Sequence, residues 1–174
     1  MTGAGVRGAD KWLAALRIVV GAWFAKSLLT KLSLHLAFGF LPVPVASARW
    51  TATMPVLLGR YAADNPFPSY RAYLLGTVIP NAARYANLTA LGECFVGVSL
   101  LLGLLTPAGA AVGLALSVLY GFAVQHMSSG QLGFHVLLVP LMIAFALSRA
   151  GRCFGADAAL RARWPEARLV RWLT

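Results

Sequence analysis

Residues 85–148 read YANLTALGECFVGVSLLLGLLTPAGAAVGLALSVLYGFAVQHMSSGQLGFHVLLVPLMIAFALS, and Glu93 is the only formally charged residue in the stretch. So long and apolar a run exceeds what the core of a 174-residue chain can hold, and it belongs in lipid. The composition agrees: 59% of residues are hydrophobic and 11% charged, where a soluble domain carries roughly a quarter charged residues. The formal charge of +10, from 15 Lys and Arg against 5 Asp and Glu, would suggest nucleic acid in a soluble protein. Here the cations sit mainly outside the apolar run, so they set topology and no nucleic-acid partner is expected.

Four segments are long enough to cross about 30 Å of hydrocarbon at about 1.5 Å per residue. They fall near 12–33, 82–104, 107–126 and 131–149. Asn81 is placed to cap the second span, and Thr106-Pro107 opens the third as a hydroxyl cap followed by proline at the first helical position. The third span carries Gly109, Gly113, Ser117 and Gly121 at every fourth position, a small-residue stripe that lets helices approach closely. Pro140 interrupts the hydrogen-bond ladder of the fourth span. The expected fold is an all-α integral membrane protein. It is a four-transmembrane-helix bundle, one domain over 1–174, with short interfacial helices in the outer loop 34–81 and in the basic tail 150–174.

Lys and Arg cluster at Arg7 and Lys11 and again from Arg149 to Arg171, while loop 34–81 has three. The positive-inside rule then puts both termini in the cytoplasm. The loop holds six of the nine prolines, and its apolar pieces, Trp50 to Tyr61 and Tyr70 to Ile79, are too short to span. They read as surface-lying helices anchored by Trp50, Tyr61, Tyr70 and Tyr73. In the tail, Asp157 is placed to cap a short helix holding Arg161 and Arg163, and the last residues form a basic amphipathic segment suited to anionic lipid or a protein partner. Neither cysteine, Cys94 or Cys153, suggests a disulfide, and no Cys/His spacing suggests a metal site.

Ionisable groups within hydrocarbon cost at least a few kcal/mol unless compensated, so they mark candidate sites. Glu93 lies midway along the second span and needs a cation, a donor or a proton. Lys26 lies within about 6 Å of it in depth, within a lysine's reach. Lys26, Thr30 and Ser33 share one face of the first span, and Ser27, Lys31 and His35 the adjoining one. A Lys26–Glu93 pair is allowed, either as a structural ion pair or as part of a functional site. His126 and His135, with Gln125, Ser128, Ser129 and Gln131 near, form the expected mouth of a polar cavity whose floor is Glu93. Such a mouth suits a quinone-type headgroup, because histidine can hydrogen-bond a carbonyl and relay its proton. Arg17 points away from Lys26, to snorkel or to meet Asp157 and the tail.

Leu16-Arg17, Gly21 and Lys26 in the first span, Gly92-Glu93, Gly97 and Leu100–Thr106 around the second, and Gly151-Arg152-Cys153-Phe154-Gly155-Ala156-Asp157 after the fourth together resemble the DoxX/DoxD family of four-helix membrane proteins. The long proline-rich loop is closer to the DoxD branch, the small subunit of thiosulfate:quinone oxidoreductase. The resemblance implies a subunit of a quinone-linked oxidoreductase in a bacterial or archaeal cytoplasmic membrane, working beside other membrane subunits. It carries over no catalytic residue. Glu93, Lys26 and His135 are the candidate catalytic groups, and Lys26, Glu93, His126 and His135 the candidate quinone contacts. The alternative is a non-catalytic accessory subunit packed in a larger respiratory or photosynthetic complex. No recognisable spacing for haem, flavin or an iron–sulfur cluster occurs, so electrons would come directly from substrate or from a partner subunit.

Overall fold

The computed structural model describes residues 4–174, with side chains from residue 8 onward; the side chain of Arg7, counted above among the N-terminal cations, lies outside them. Helix α1 (Ala4–Thr30) leads into a hairpin of β1 (Leu32–Ala37) and β2 (Leu41–Ala46). Helices α2 (Ala48–Ala63) and α3 (Pro68–Tyr73) follow, and α3 continues as a wider π turn over Leu74–Val78. Then come α4 (Ala82–Leu102), α5 (Thr106–Val124), α6 (Ser129–Ser148), α7 (Ala156–Arg163) and α8 (Arg168–Leu173). Among the described residues, Gly8–Thr30 of α1 and the whole of α4, α5 and α6 are long and apolar enough to cross a membrane. The protein is mainly helical and of multi-pass membrane type.

The loop differs from the sequence reading. Helices do form over Trp50–Tyr61 and Tyr70–Val78, but residues 32–46 make an antiparallel hairpin. Alternating apolar residues in β1 and prolines at every second position of β2 favour strand over helix there. Helix α1 consequently stops at Thr30, and Ser33 and His35 belong to β1, not to the polar face of α1 expected above.

The chain divides into two compact units. One comprises Met1–Lys26, Cys94–Leu114 and Pro140–Thr174. Here α1 meets α4 backbone to backbone: a methyl group added to Gly21 would collide with Leu100 and Leu101, and one on Gly97 with Phe24 and Ala25. The stripe on α5 is used in the same way, Gly109 against Ser99 and Gly113 against Met142 and Val96. Small residues suit contacts of this kind, because in lipid helix association depends on van der Waals packing.

The Gly-Arg…Asp motif closes this unit. Arg17 is fully buried, its Nη1 donating to Leu100 O at 2.7 Å and its Nη2 to Phe154 O at 2.9 Å and Cys153 O at 3.4 Å. Asp157 is equally buried and accepts from the amides of Leu105 at 2.7 Å and Thr106 at 3.0 Å, while its own amide donates to Gly103 O at 2.8 Å. The carboxylate thus caps the start of α5, where exposed amides and the helix dipole favour negative charge. Asp157 lies in the first turn of α7, whose N-cap is Gly155 with no side-chain bond, so the sequence reading assigned this carboxylate to the wrong helix. Thr106 likewise is the first residue of α5, not its cap. Asn81 turns back and donates to Thr77 O at 2.9 Å, and does not cap α4 with its side chain. Gly103 has φ +62° and touches both Arg17 and Gly155, a place where a side chain would meet strain and collision together.

The second unit comprises Ser27–Glu93 and Ala115–Val139. Met54, Ala62, Leu74, Val78 and Ala86 form a buried apolar cluster flanked by Trp50, Tyr70 and Tyr85. The loop is stitched to α5 by Asn65 Nδ2, which donates to Phe122 O at 2.9 Å, and by Tyr70 Oη, which donates to Leu119 O at 2.7 Å. Burial and the neighbouring Tyr73 push the Tyr70 phenol up to about 12, so it remains a donor over the neutral range.

Replacing Asp157 by Ala leaves two buried amides without their acceptor, at a cost of about 1.5–3 kcal/mol each. Thermal unfolding in detergent is expected to show a marked drop for Asp157→Ala, and a change within about 0.5 kcal/mol for the exposed Arg163→Ala.

Candidate functional site

Glu93 is 5% exposed and is held by side chains from two other helices and the residue that leads into the hairpin. Ser27 Oγ, on the last turn of α1, donates to Glu93 Oε2 in a short hydrogen bond. Lys31 Nζ, just beyond that helix, donates to Oε1 at 2.8 Å, forming a salt bridge. Tyr120 Oη, from α5, donates to the same oxygen at 2.7 Å. The Lys31 ammonium and two hydroxyl donors meet the carboxylate, the kind of combination needed for a charge in a poorly solvating interior.

Lys31 thus supplies a cation to Glu93 directly. The ammonium of Lys26 lies 4.4 Å from the centroid of the Trp23 ring. Matching depths along two helices drew attention to Lys26 and left Lys31 without an assigned partner. Ser27 and Lys31 are four residues apart, and the Lys31 amide bonds Ser27 O at 2.9 Å, so the two side chains reach Glu93 from one side. Lys31 is also 4.1 Å from the centroid of the Trp50 ring, a cation–π contact that ties α2 to the pair. Trp50 Nε1 in turn donates to Thr89 Oγ1 on α4 at 3.4 Å.

His135 stands beside this network. Its ring makes an edge contact with Tyr120, centroids 6.2 Å apart, and a second with Phe134 at 5.3 Å. A cleft of about 210 Å³ opens between α5 and α6, lined by residues that include Ser117, Gly121, Phe122, Gln125, Leu132 and His135. Gly121 borders His135, with room for close approach of the two helices. Gln125 Nε2 and His135 Nδ1 are buried and have no hydrogen-bond partner within the protein, and the same holds for both ring nitrogens of His126. Buried polar atoms in native proteins are almost always partnered, so an unpartnered group at a cleft is a natural contact for a ligand.

Of the candidates read from sequence, Glu93 and His135 fall in one neighbourhood, linked through Tyr120. His126 lies past the end of α5 and is not among the cleft residues. Ser27 and Lys31 were visible as a polar pair in the sequence but not assigned to Glu93. Tyr120 gave no signal of its own, since an aromatic residue in an apolar span reads as packing. Among the described residues no group of three His, Cys, Asp or Glu side chains could hold a metal ion.

Comparison with protein-family models, with curated proteins and with solved structures found no match to the chain.

Tyr120→Phe removes a hydrogen bond to a buried charge and keeps the ring. A stability loss of about 1.5–3 kcal/mol is expected from thermal unfolding in detergent, and an unchanged midpoint would remove the phenol from the group that holds Glu93.

Proposed function

We propose that the chain is the membrane-embedded subunit of a quinone-linked oxidoreductase complex of the DoxX/DoxD kind, of which thiosulfate:quinone oxidoreductase is the nearest in type. Support comes chiefly from one observation: Gln125 and His135 line a cleft and carry buried nitrogens with no protein partner. A quinone headgroup has a flat apolar ring and carbonyl acceptors. The apolar wall from Val118, Phe122 and Val136 would receive the ring, and Gln125 and His135 would donate to the carbonyls.

Reduction of a quinone takes up two electrons and two protons. In this reading the electrons come from a partner subunit or directly from the donor substrate, and the protons pass through His135. The Glu93, Tyr120 and Lys31 group behind it sets the local field and holds α4 and α5 at the distance the cleft needs. The excess of Lys and Arg near the two ends supports a cytoplasmic location for both termini, in a bacterial or archaeal membrane.

A second reading, an accessory subunit without catalysis, draws on the tail, where Trp164, Leu169 and Trp172 are exposed next to Arg163, Arg168 and Arg171. An amphipathic segment of this composition docks on lipid or a neighbouring subunit. The two readings separate in one assay, quinone reduction by the complex purified in mild detergent. His135→Ala is expected to lower turnover by about 10²-fold or more, the usual share of a general acid, with the complex intact. Turnover unchanged in both His135→Ala and Glu93→Gln would leave the accessory reading.

A further inference from the structure

The hairpin between α1 and α2 has no role in the site just described. It is a two-stranded sheet with partners Leu32 to Ala46, Ser33 to Val45, Leu34 to Pro44, His35 to Val43, Leu36 to Pro42 and Ala37 to Leu41. No Asp, Glu, Lys or Arg occurs from Leu32 to Ala48, while Lys31 and Arg49 flank the segment. The tip carries Phe38 and Phe40, 89% and 76% exposed, around Gly39. Leu34 and Leu36 lie on one face, and they too are exposed. Such a continuous apolar surface on a narrow projection is far from the ordinary scatter of exposed apolar residues.

The backbone narrows the choice of partner. Proline has no N–H, so the ladder bonds must come from the intervening pairs, Ser33 with Val45 and His35 with Val43. The even-numbered residues of β2 then turn their backbone nitrogens outward. Ala46 confirms this direction, because its N–H leaves the sheet and donates to Asn87 Oδ1 at 2.8 Å. The other two outward positions are Pro42 and Pro44, which have no donor to leave exposed. The outer edge of β2 thus presents no unsatisfied N–H. It cannot template a further strand through donors at these positions, while the outward carbonyls of Pro42 and Pro44 need donors, which interfacial water supplies. The outer edge of β1 keeps the amides of Leu34 and Leu36, which need acceptors. A medium that is apolar at the tip and, around the strands, rich in water with ester and phosphate oxygens meets these requirements.

We propose that residues 32–46 form an interfacial anchor that inserts its Phe38–Phe40 tip into the headgroup and upper acyl region of the bilayer. A single residue, Lys31, separates the hairpin from a helix long and apolar enough to cross a membrane, which places it next to the same lipid. The exposed Arg49 at its base is positioned to meet lipid phosphate. Lys31, which leads into β1 at the same base, is occupied by Glu93, so the anchor and the Glu93 group share one boundary residue.

The test uses the full chain in phosphatidylcholine and phosphatidylglycerol vesicles, with Phe38→Cys in a Cys153→Ser background carrying an environment-sensitive fluorophore. Vesicles of the unsubstituted Cys153→Ser protein, treated identically, give the background. Lipids with a nitroxide near the top of the acyl chain are expected to quench the probe about twofold or more, as for a group ~5–10 Å below the surface. Aqueous iodide should have little effect. Strong quenching by iodide with none by the nitroxide lipids would overturn the anchor. Shielding from both quenchers would also overturn it, in favour of a protein partner or a second copy. Phe40→Cys repeats the measurement should the first variant fail to fold.

Discussion

The structure depends on compensating a carboxylate in an apolar chain segment. Glu93 cannot be left alone there, because the penalty for an uncompensated charge in such a medium is comparable to the stability of a whole domain. Ser27, Lys31 and Tyr120 supply the compensation, and each constrains an element. Ser27 and Lys31 fix the last turn of α1 and the start of the hairpin against α4. Tyr120 fixes the last third of α5. Lys31 then passes the constraint to α2 through the Trp50 ring. A single charge therefore sets the register of four elements in the second unit.

The first unit solves an analogous problem differently. Arg17 is as buried as Glu93, but its partners are the carbonyls of Leu100, in the last turn of α4, and of Cys153 and Phe154, in the turn after α6. Asp157 is buried in the same unit, acts electrostatically on Arg17, and spends its hydrogen bonds on the start of α5. Glycines 103, 151 and 155 make this possible, since a methyl group at any of them would strike Arg17, Asp157 or a facing backbone atom. Gly151, Gly155 and Asp157 of the Gly-Arg…Asp motif are thus accounted for by packing and hydrogen bonding around two buried charges, and its exposed Arg152 donates to Thr174 O at 2.9 Å.

Much of this was legible in the sequence. The apolar run with one acid located four long helices and singled out Glu93, and the small-residue stripe on α5 predicted close helix packing, which the structure realises against Ser99, Met142 and His135. What was lost depends on geometry that spacing does not encode. That Lys31 reaches Glu93 depends on azimuth and on where α1 ends, neither of which spacing gives. Asp157 caps a helix some fifty residues earlier in the chain, a pairing with no local signature. The hairpin was legible in principle through Pro42 and Pro44 at alternating positions, yet prolines in a loop read first as breakers. Tyr120 was hidden because its ring looks like packing and its hydroxyl matters only once α5 faces Glu93.

The central claim, that Lys31 is the cation that holds Glu93, is tested most directly by a double-mutant cycle with Lys31→Met, Glu93→Gln and the combined variant, read as unfolding free energy in one detergent. The account predicts that the two changes interact by about 0.5–3 kcal/mol, the double variant being less damaged than the sum of the singles. Strict additivity of the two single effects would contradict it.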